Sequence, residues 1–218
     1  MSTQDTTVGL SAVIAAPAGE RELAAELRAG SVEAFNYLIA LYHQPLFRFV
    51  ARLSSPEDAD DIVQEVFLKV FRSAAGFEGK SSVKTWLYQI ALHEASNHRR
   101  WWYRHKRRET SLEEPDAQGV DLGSRLPATG ETPLGQTLRH EQQRQLQAAL
   151  RQVPEPFHAV LVLREIEGFR YDEIAEIVQA RIGTVKSRLL RGREMLRQAW
   201  QRDHAEAAAP GYRSMEHA

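Results

Sequence analysis

The stretch RIGTVKSRLLRGREMLR at 181–197 constrains this chain more than any other. Taken as a helix from about Ile182, it sets Ile182, Val185, Leu189, Met195 and Leu196 on or beside one face at helical spacing. Arg181, Lys186, Arg188, Arg191, Arg193 and Arg197 fall on the other faces, with Glu194 the only acid among them. A 16-residue helix is about 24 Å long, and the major groove of B-DNA admits one helix. Alone, such a run is equally well a solvated cationic face. What precedes it narrows the choice. YDEIAEIV at 171–178 has the spacing of a short amphipathic helix with Ile174, Ala175 and Val178 inward, and 179–181 leaves room only for a tight connection. Helix, short turn and basic second helix make a helix-turn-helix, whose second helix reads the groove.

Upstream, the apolar spacing stays helical and no strand-like alternation intervenes, so the expected fold class is all-α. Residues 1–19 lack a sustained period and are expected to be a disordered tail. Residues 20–28 form a short helix with Leu23, Ala24 and Leu27 inward. Ser31 is placed to cap a second helix, with Phe35, Leu38, Ile39, Tyr42, Leu46, Phe49, Val50 and Leu53 on its core side. Pro45 should kink or weaken that helix. Ser55-Pro56-Glu57-Asp58 opens a third helix to about Ser73, with Ile62, Val63, Val66, Phe67, Val70 and Phe71 inward. After a Gly/Ser loop at 74–82, a fourth helix carries Trp86, Leu87, Ile90 and Ala91 as its core face and runs on, or nearly so, into NHRRWWYRHKRR. These four helices define a domain over 20–108. Residues 109–136 are rich in Gly and Pro and read as a linker. A second helical domain spans 137–200, with Leu138, Leu146, Ala149 and Leu150 inward in its first helix, and 201–218 is expected to be a flexible tail.

The formal net charge of −1 conceals a strong segregation. Residues 97–108 carry six Lys/Arg and 181–197 carry six more, while 109–135 carry six acids against Arg125 alone. Two cationic faces are thus joined by an acidic connector. Fully extended, its 27 residues would reach roughly 90 Å, beyond the roughly 70 Å of two duplex turns, so the two faces could hold separate sites on one DNA. The absence of cysteine excludes disulfides, a thiol nucleophile and Cys-type zinc sites. No apolar run approaches a membrane span, and 7–18 lacks the basic start of a signal peptide, so a cytoplasmic location is expected.

Chemistry by this chain alone is not indicated. His93, His98 and His105 are five and seven residues apart, spacings that do not stack two imidazoles, so no metal and no cofactor is expected. Adjacent Asp60 and Asp61 point about 100° apart on a helix and do not converge. The remaining strong signal is Trp101-Trp102-Tyr103 among arginines: rings stack on unpaired bases while cations track phosphates. The bland alternative closes the domain core with one or two of these rings. Trp86, within an apolar helical face, is better placed for the core. On the residues alone, a stand-alone helix-turn-helix regulator and an enzyme with a single-strand-binding module both stay open.

Together, SPEDADDIVQEVFLKVFRSAAGF, KTWLYQIALHEASNHRR and VPEPFHAVLVLREIEGFRYDEIAEIVQARIGTVKSRLLRGREMLR resemble the bacterial sigma-70 family, in its small extracytoplasmic-function group. The resemblance implies a sigma factor that binds RNA polymerase core, recognises and helps melt promoter DNA, and is held by an anti-sigma factor. It assigns polymerase-core contacts to Asp61, Gln64 and Glu65. It assigns minus-ten contacts to Phe77, Lys80 and Ser81 in the loop and to His93, Asn97, Arg99, Arg100 and Trp101 on the helix. His93 departs from the Asn common there. Minus-thirty-five contacts fall on Arg164, Tyr171, Asp172, Thr184, Lys186, Ser187, Arg188, Leu190 and Arg191. Of these, Lys186 and Arg191 are the expected base-edge readers, with Arg188 and, beyond them, Arg193 and Arg197 serving phosphates or the surface. Gly192 stands where the family usually has Ala, at about 1 kcal/mol of helix propensity.

Overall fold

The computed structural model describes residues 19–109 and 144–208. The expected N-terminal tail, the acidic connector beyond Glu109, the first turns of the helix expected from 137, and the last ten residues lie outside the described residues. Every regular element described is helical. In chain order these are α1 (Glu20–Arg28), α2 (Val32–Leu53), α3 (Ala59–Ser73) with a 3₁₀ turn (Ala74–Gly76), α4 (Val83–Glu109), α5 (144–151), α6 (Glu155–Leu161), which widens into a π turn (Val162–Ile166), α7 (Tyr171–Ile177) and α8 (Ile182–Ala208).

The local signals explain most boundaries. Ser31 accepts the Ala34 amide at 3.1 Å and so caps α2, after Gly30 turns the chain with φ 77°. Ser55 and Asp58 bond reciprocally, hydroxyl to carboxylate at 2.6 Å and amide to hydroxyl at 3.3 Å, and α3 starts one residue later. Pro45 lies inside α2 and neither ends nor splits it. It removes the donor for the Leu41 carbonyl, and Leu41 is exposed, where water can replace that donor. The helix expected to fray after 200 continues to Ala208, and Gln152 tethers it by donating to the Asp203 carboxylate at 3.0 Å.

The first half buries Leu38, Leu46, Phe49, Val50, Val63, Val66 and Leu87 between α2, α3 and α4. The second buries Val160, Leu161, Leu163, Ile174, Val185 and Leu189 between α6, α7 and α8. Three residues expected inward are exposed: Phe71 at 60 %, Ile182 at 45 % and Leu146 at 41 %. Ile182 opens α8, so its side chain leans back past the helix start and beyond the packed turn. Phe71 has the Phe35 ring on one side, with centroids 5.2 Å apart in an edge-to-face arrangement, and solvent on the other.

The two halves touch. α7 packs along α4, α6 meets α2, and the buried residues of both form one contiguous apolar cluster. Tyr88 of α4 lies at the seam, 1 % exposed, with the Phe49 ring centroid at 4.9 Å on one side and the Phe169 centroid at 4.8 Å on the other. Within the second half, the tightest approach is Gly192 of α8 on α6. A Cβ there would sit 3.1 Å from the Leu161 side chain and 3.3 Å from the Phe157 carbonyl oxygen.

That approach yields a prediction. Gly192→Ala gains about 1 kcal/mol of helix propensity, but it presses on a fully buried leucine and on a backbone oxygen. The expected net effect is a destabilisation of about 1 kcal/mol, within the usual range for overpacking. Urea denaturation measures it, and a more stable variant would contradict the packing.

Candidate nucleic-acid interface

The helix-turn-helix is built as expected. α7 and α8 are joined through Val178–Ala180, with Gln179 in the left-handed region at φ 50° and the Ala180 amide donating to the Ala175 carbonyl at 2.9 Å. Val185 and Leu189 anchor α8 inward. The solvent arc of α8 then holds two stripes: Thr184, Ser187 and Arg191, and beside them Lys186 and Leu190. Leu190 is 71 % exposed, an apolar side chain in the middle of a cationic surface.

The cations of α8 divide sharply. Arg193 donates to Glu165 at 2.6 Å, and Arg197 to Glu194 at 2.7 Å. Hydrogen bonding to those carboxylates raises both guanidinium pKa values. Lys186 and Arg191 face solvent, and no ion pair to either is found among the described residues. Arg164 and Tyr171 brace the scaffold from below. Arg164 donates to the Phe169 carbonyl at 2.8 Å and lies 4.9 Å over the Tyr171 ring. Asp172 is exposed and pairs with Arg170 at 3.1 Å.

On α4, His93, Asn97, Arg100 and Arg104 fall at i, i+4, i+7 and i+11 and form one outward stripe. Arg100 donates to the Asn97 side-chain oxygen at 2.9 Å, and the Asn97 amide nitrogen lies 3.0 Å from His93 Nδ1. Trp101 flanks this stripe, 53 % exposed, with its ring centroid 6.3 Å from that of His98. Trp102 is half-buried. Lys80 is on the exposed loop, paired with Glu78, and Ser81 is half-buried. Phe77 departs from the expected outward role. It is buried and stacked on Trp86 at 4.6 Å, holding the loop to the domain. Arg99 also leaves the stripe: it turns to the second half and pairs with Glu155. Asp61, Gln64 and Glu65 sit together on the exposed face of α3.

The contacts between halves were not visible in the sequence. Glu155 also accepts the Ser96 hydroxyl at 2.6 Å. Glu167 accepts the Tyr88 hydroxyl at 2.8 Å and pairs with Arg52 at 3.5 Å. Burial first, then the Glu167 carboxylate, push the Tyr88 hydroxyl far above the usual tyrosine range. Lys84 lies 4.4 Å from the Phe169 ring centroid. The one hint was the hydroxyl of Tyr88 beside Leu87 on a core face, which demands a partner once buried. Among the described residues no group of three metal-ligating side chains is found, and no helix is long and apolar enough to cross a membrane.

Comparison with known proteins follows this architecture. Residues 38–108 match the family profile of sigma-70 region 2, and residues 143–196 that of sigma-70, region 4. The chain is 36 % identical over 177 residues to the ECF RNA polymerase sigma-E factor of Haemophilus influenzae, covering 81 % of this chain and 93 % of that protein. It is 32 % identical over 185 residues to the RNA polymerase sigma-H factor of Pseudomonas aeruginosa, covering 84 % and 94 %. Among solved structures, the sigma factor RpoE of Bartonella quintana, in complex with the anti-sigma factor NepR, aligns with TM-score 0.59 and 25 % identity over 79 % of this chain and 99 % of that one. CnrH in complex with the cytosolic domain of CnrY shares the fold, with TM-score 0.60 and 22 % identity over 84 % and 98 %.

The seam makes one pH prediction. His158 of α6 is buried, its Nε2 makes no hydrogen bond, and its pKa is pushed down to about 4, by burial first and then by the charges of Arg99 and Arg151. An unfolded histidine titrates near 6.5. Between those values the unfolded chain binds the extra proton, so this contribution to stability is complete above pH 6.5 and is lost as pH falls through 4. The loss amounts to about 3 kcal/mol. Urea denaturation at pH 7 and 4.5 should show a smaller difference for His158→Gln than for the parent protein. Equal differences would refute the assignment.

Proposed function

We propose a division of labour within this chain, which belongs to the sigma-70 family in its extracytoplasmic-function group. It is a sigma factor: it binds RNA polymerase core and directs transcription initiation at promoter DNA. The chain contributes recognition to a reaction that the polymerase catalyses, and its place of work is the cytoplasm, where polymerase and chromosome meet. In our reading α3 presents Asp61, Gln64 and Glu65 to the core. α4 presents His93, Asn97, Arg100 and Trp101 to the opened minus-ten strand, with Lys80 and Ser81 beside them and Arg99 joining when it leaves Glu155. α8 sets Lys186, Ser187, Leu190 and Arg191 into the minus-thirty-five major groove, with Thr184 and Arg188 at its edges. Phe77, in this reading, supports the strand-holding loop from inside.

One observation carries the α8 assignment. Arg193 and Arg197 are neutralised by acids of this chain, while Lys186 and Arg191 project unpaired beside Ser187 and Leu190. The division runs along the helix: Lys186 and Arg191 lie in its first turns beside the exposed Leu190, and the paired Arg193 and Arg197 follow toward its C-terminal end. Arg191 on a guanine edge supplies about 1–3 kcal/mol of discrimination.

The geometry adds a requirement. Packed as one body, residues 19–109 and 144–208 would have a radius of gyration of about 15 Å and be roughly 40 Å across. Sites two duplex turns apart are about 70 Å apart. The two halves must therefore part before both stripes engage one promoter, breaking the Tyr88–Glu167, Arg52–Glu167, Ser96–Glu155 and Arg99–Glu155 contacts. An anti-sigma protein that favours the joined state would hold the factor silent.

Run-off transcription with purified core polymerase tests the function: initiation should require this chain. Asp61→Ala with Glu65→Ala should weaken core binding, while Arg191→Ala should spare it and cost about 5- to 150-fold at the upstream element. Initiation that is indifferent to the chain would sink the reading. Opening is testable separately. The chain lacks cysteine, so Arg72→Cys with Gln201→Cys accepts a dye pair at two exposed sites. Energy transfer should fall when core polymerase is added, and should already be lower in a Glu155→Gln, Glu167→Gln background. Unchanged transfer in both cases would reject the opening step.

A further inference from the structure

Along α8, Lys186, Leu190, Arg193 and Arg197 fall at i, i+4, i+7 and i+11, so Arg193 continues the stripe that begins at Lys186. It stands about 4.5 Å along the axis from Leu190 and about 10 Å from Lys186. Position and exposure alone would make it a phosphate contact. Its guanidinium is instead occupied: Nε and Nη2 both donate to Glu165 Oε1, at 3.0 and 2.6 Å. Two neighbouring N–H groups of one guanidinium edge are the fork with which arginine takes a phosphate. The carboxylate that fills this fork comes from 28 residues earlier, in the π turn that follows α6. That turn is braced. The Glu167 amide donates to the Val162 carbonyl at 3.0 Å, the Phe169 amide to the Leu163 carbonyl at 3.0 Å, and Arg164 to the Phe169 carbonyl at 2.8 Å. Glu165 itself is exposed and lies outside the buried cluster. A fixed backbone thus holds its carboxylate out beside α8. A phosphate reaching Arg193 has to displace that carboxylate and approach against its charge. Arg197 differs, because its acid, Glu194, lies three residues before it on the same helix, a pair that any helix surface can make.

We propose that Glu165 is a positioning residue that withholds Arg193 from the phosphate backbone, so that α8 holds poorly on duplex lacking the right bases. This rests on the reading that α8 enters the minus-thirty-five major groove. Phosphate contacts fix a protein on the duplex but carry no sequence information. On the right element, Lys186 and Arg191 set the register of the helix, and Arg193 stays with Glu165. On a wrong element no base contact sets the register, and the helix can shift until a free arginine meets a phosphate. An arginine already paired gains little from that shift. The pair is exposed on both sides, so it adds little to stability. Its effect falls on which DNA is held.

The test uses holoenzyme assembled from core polymerase and the full chain. It is bound to duplex promoters that differ only in the minus-thirty-five element, which is either the sequence the holoenzyme selects from a randomised pool or a scrambled one. Affinity is measured across a salt series, and the contribution of core polymerase is common to every variant. Glu165→Gln keeps the shape of the side chain and removes its charge, at an exposed position that does not decide folding. On the scrambled element its slope of log affinity against log salt should steepen by about 0.9, the equivalent of one phosphate. Its ratio of preferred to scrambled binding should fall by up to about fivefold, the range of an exposed ion pair. With Arg193→Gln added, slope and ratio should return to those of the parent. An unchanged slope, weaker binding, or an equal gain on both elements would overturn the proposal. So would an effect that survives Arg193→Gln, because Glu165 would then act through its own charge. Arg191→Ala tests the reading beneath. If the preferred element keeps its advantage in that variant, α8 is not the reader and the role of Glu165 goes with it. If the advantage is lost but Glu165→Gln is silent, the reading stands and the role of Glu165 is overturned.

Discussion

The hydroxyl of Tyr88 and the carboxylate of Glu167 form the contact on which the arrangement of this molecule turns. Tyr88 belongs to the core of the first half through Phe49 and to that of the second through Phe169, so it cannot be buried unless the halves meet. Buried, its hydroxyl requires an acceptor, and Glu167 provides one while pairing with Arg52. Such a site is costly to leave half-made, because each polar group would lose its partner away from water. Joining and parting are therefore closer to two discrete states than to a continuum of loose contacts.

The same helix serves both the seam and the outward stripe. Lys84, Tyr88, Ser96 and Arg99 lie toward the second half, while His93, Asn97 and Arg100 lie toward solvent. Faces of one rigid helix move together, so a change at the seam reaches the stripe without any intermediary. Arg99 makes the link concrete, since in the joined state it is committed to Glu155. An acid of the second half occupies a guanidinium that the family resemblance assigns to DNA.

The all-α architecture and the helix-turn-helix were legible in the sequence because they rest on local information. The Ser31 cap and the Val185/Leu189 face of α8 are set by residues within a few turns of each other. Errors arose where longer-range packing decided. Leu146 and Phe71 fit an inward periodicity but lie where nothing covers them fully. At the site, motif and charge located the two cationic surfaces. They could not divide paired from unpaired arginines, since the partners Glu155 and Glu165 come from other helices. Nor could they turn Phe77 inward onto Trp86, a choice made by the tertiary fold.

Glu155 opens α6 and Glu167 lies in the loop before α7, and both are separate from the solvent stripe of α8. Their placement has a meaning for descent as well as for mechanism. A lineage that alters Glu167 changes how the halves are held and replaces no side chain of the α8 stripe, whereas one that alters Glu155 also frees Arg99. The strength of closure can thus drift apart from the α8 surface through Glu167, while Glu155 ties closure to the α4 surface through Arg99.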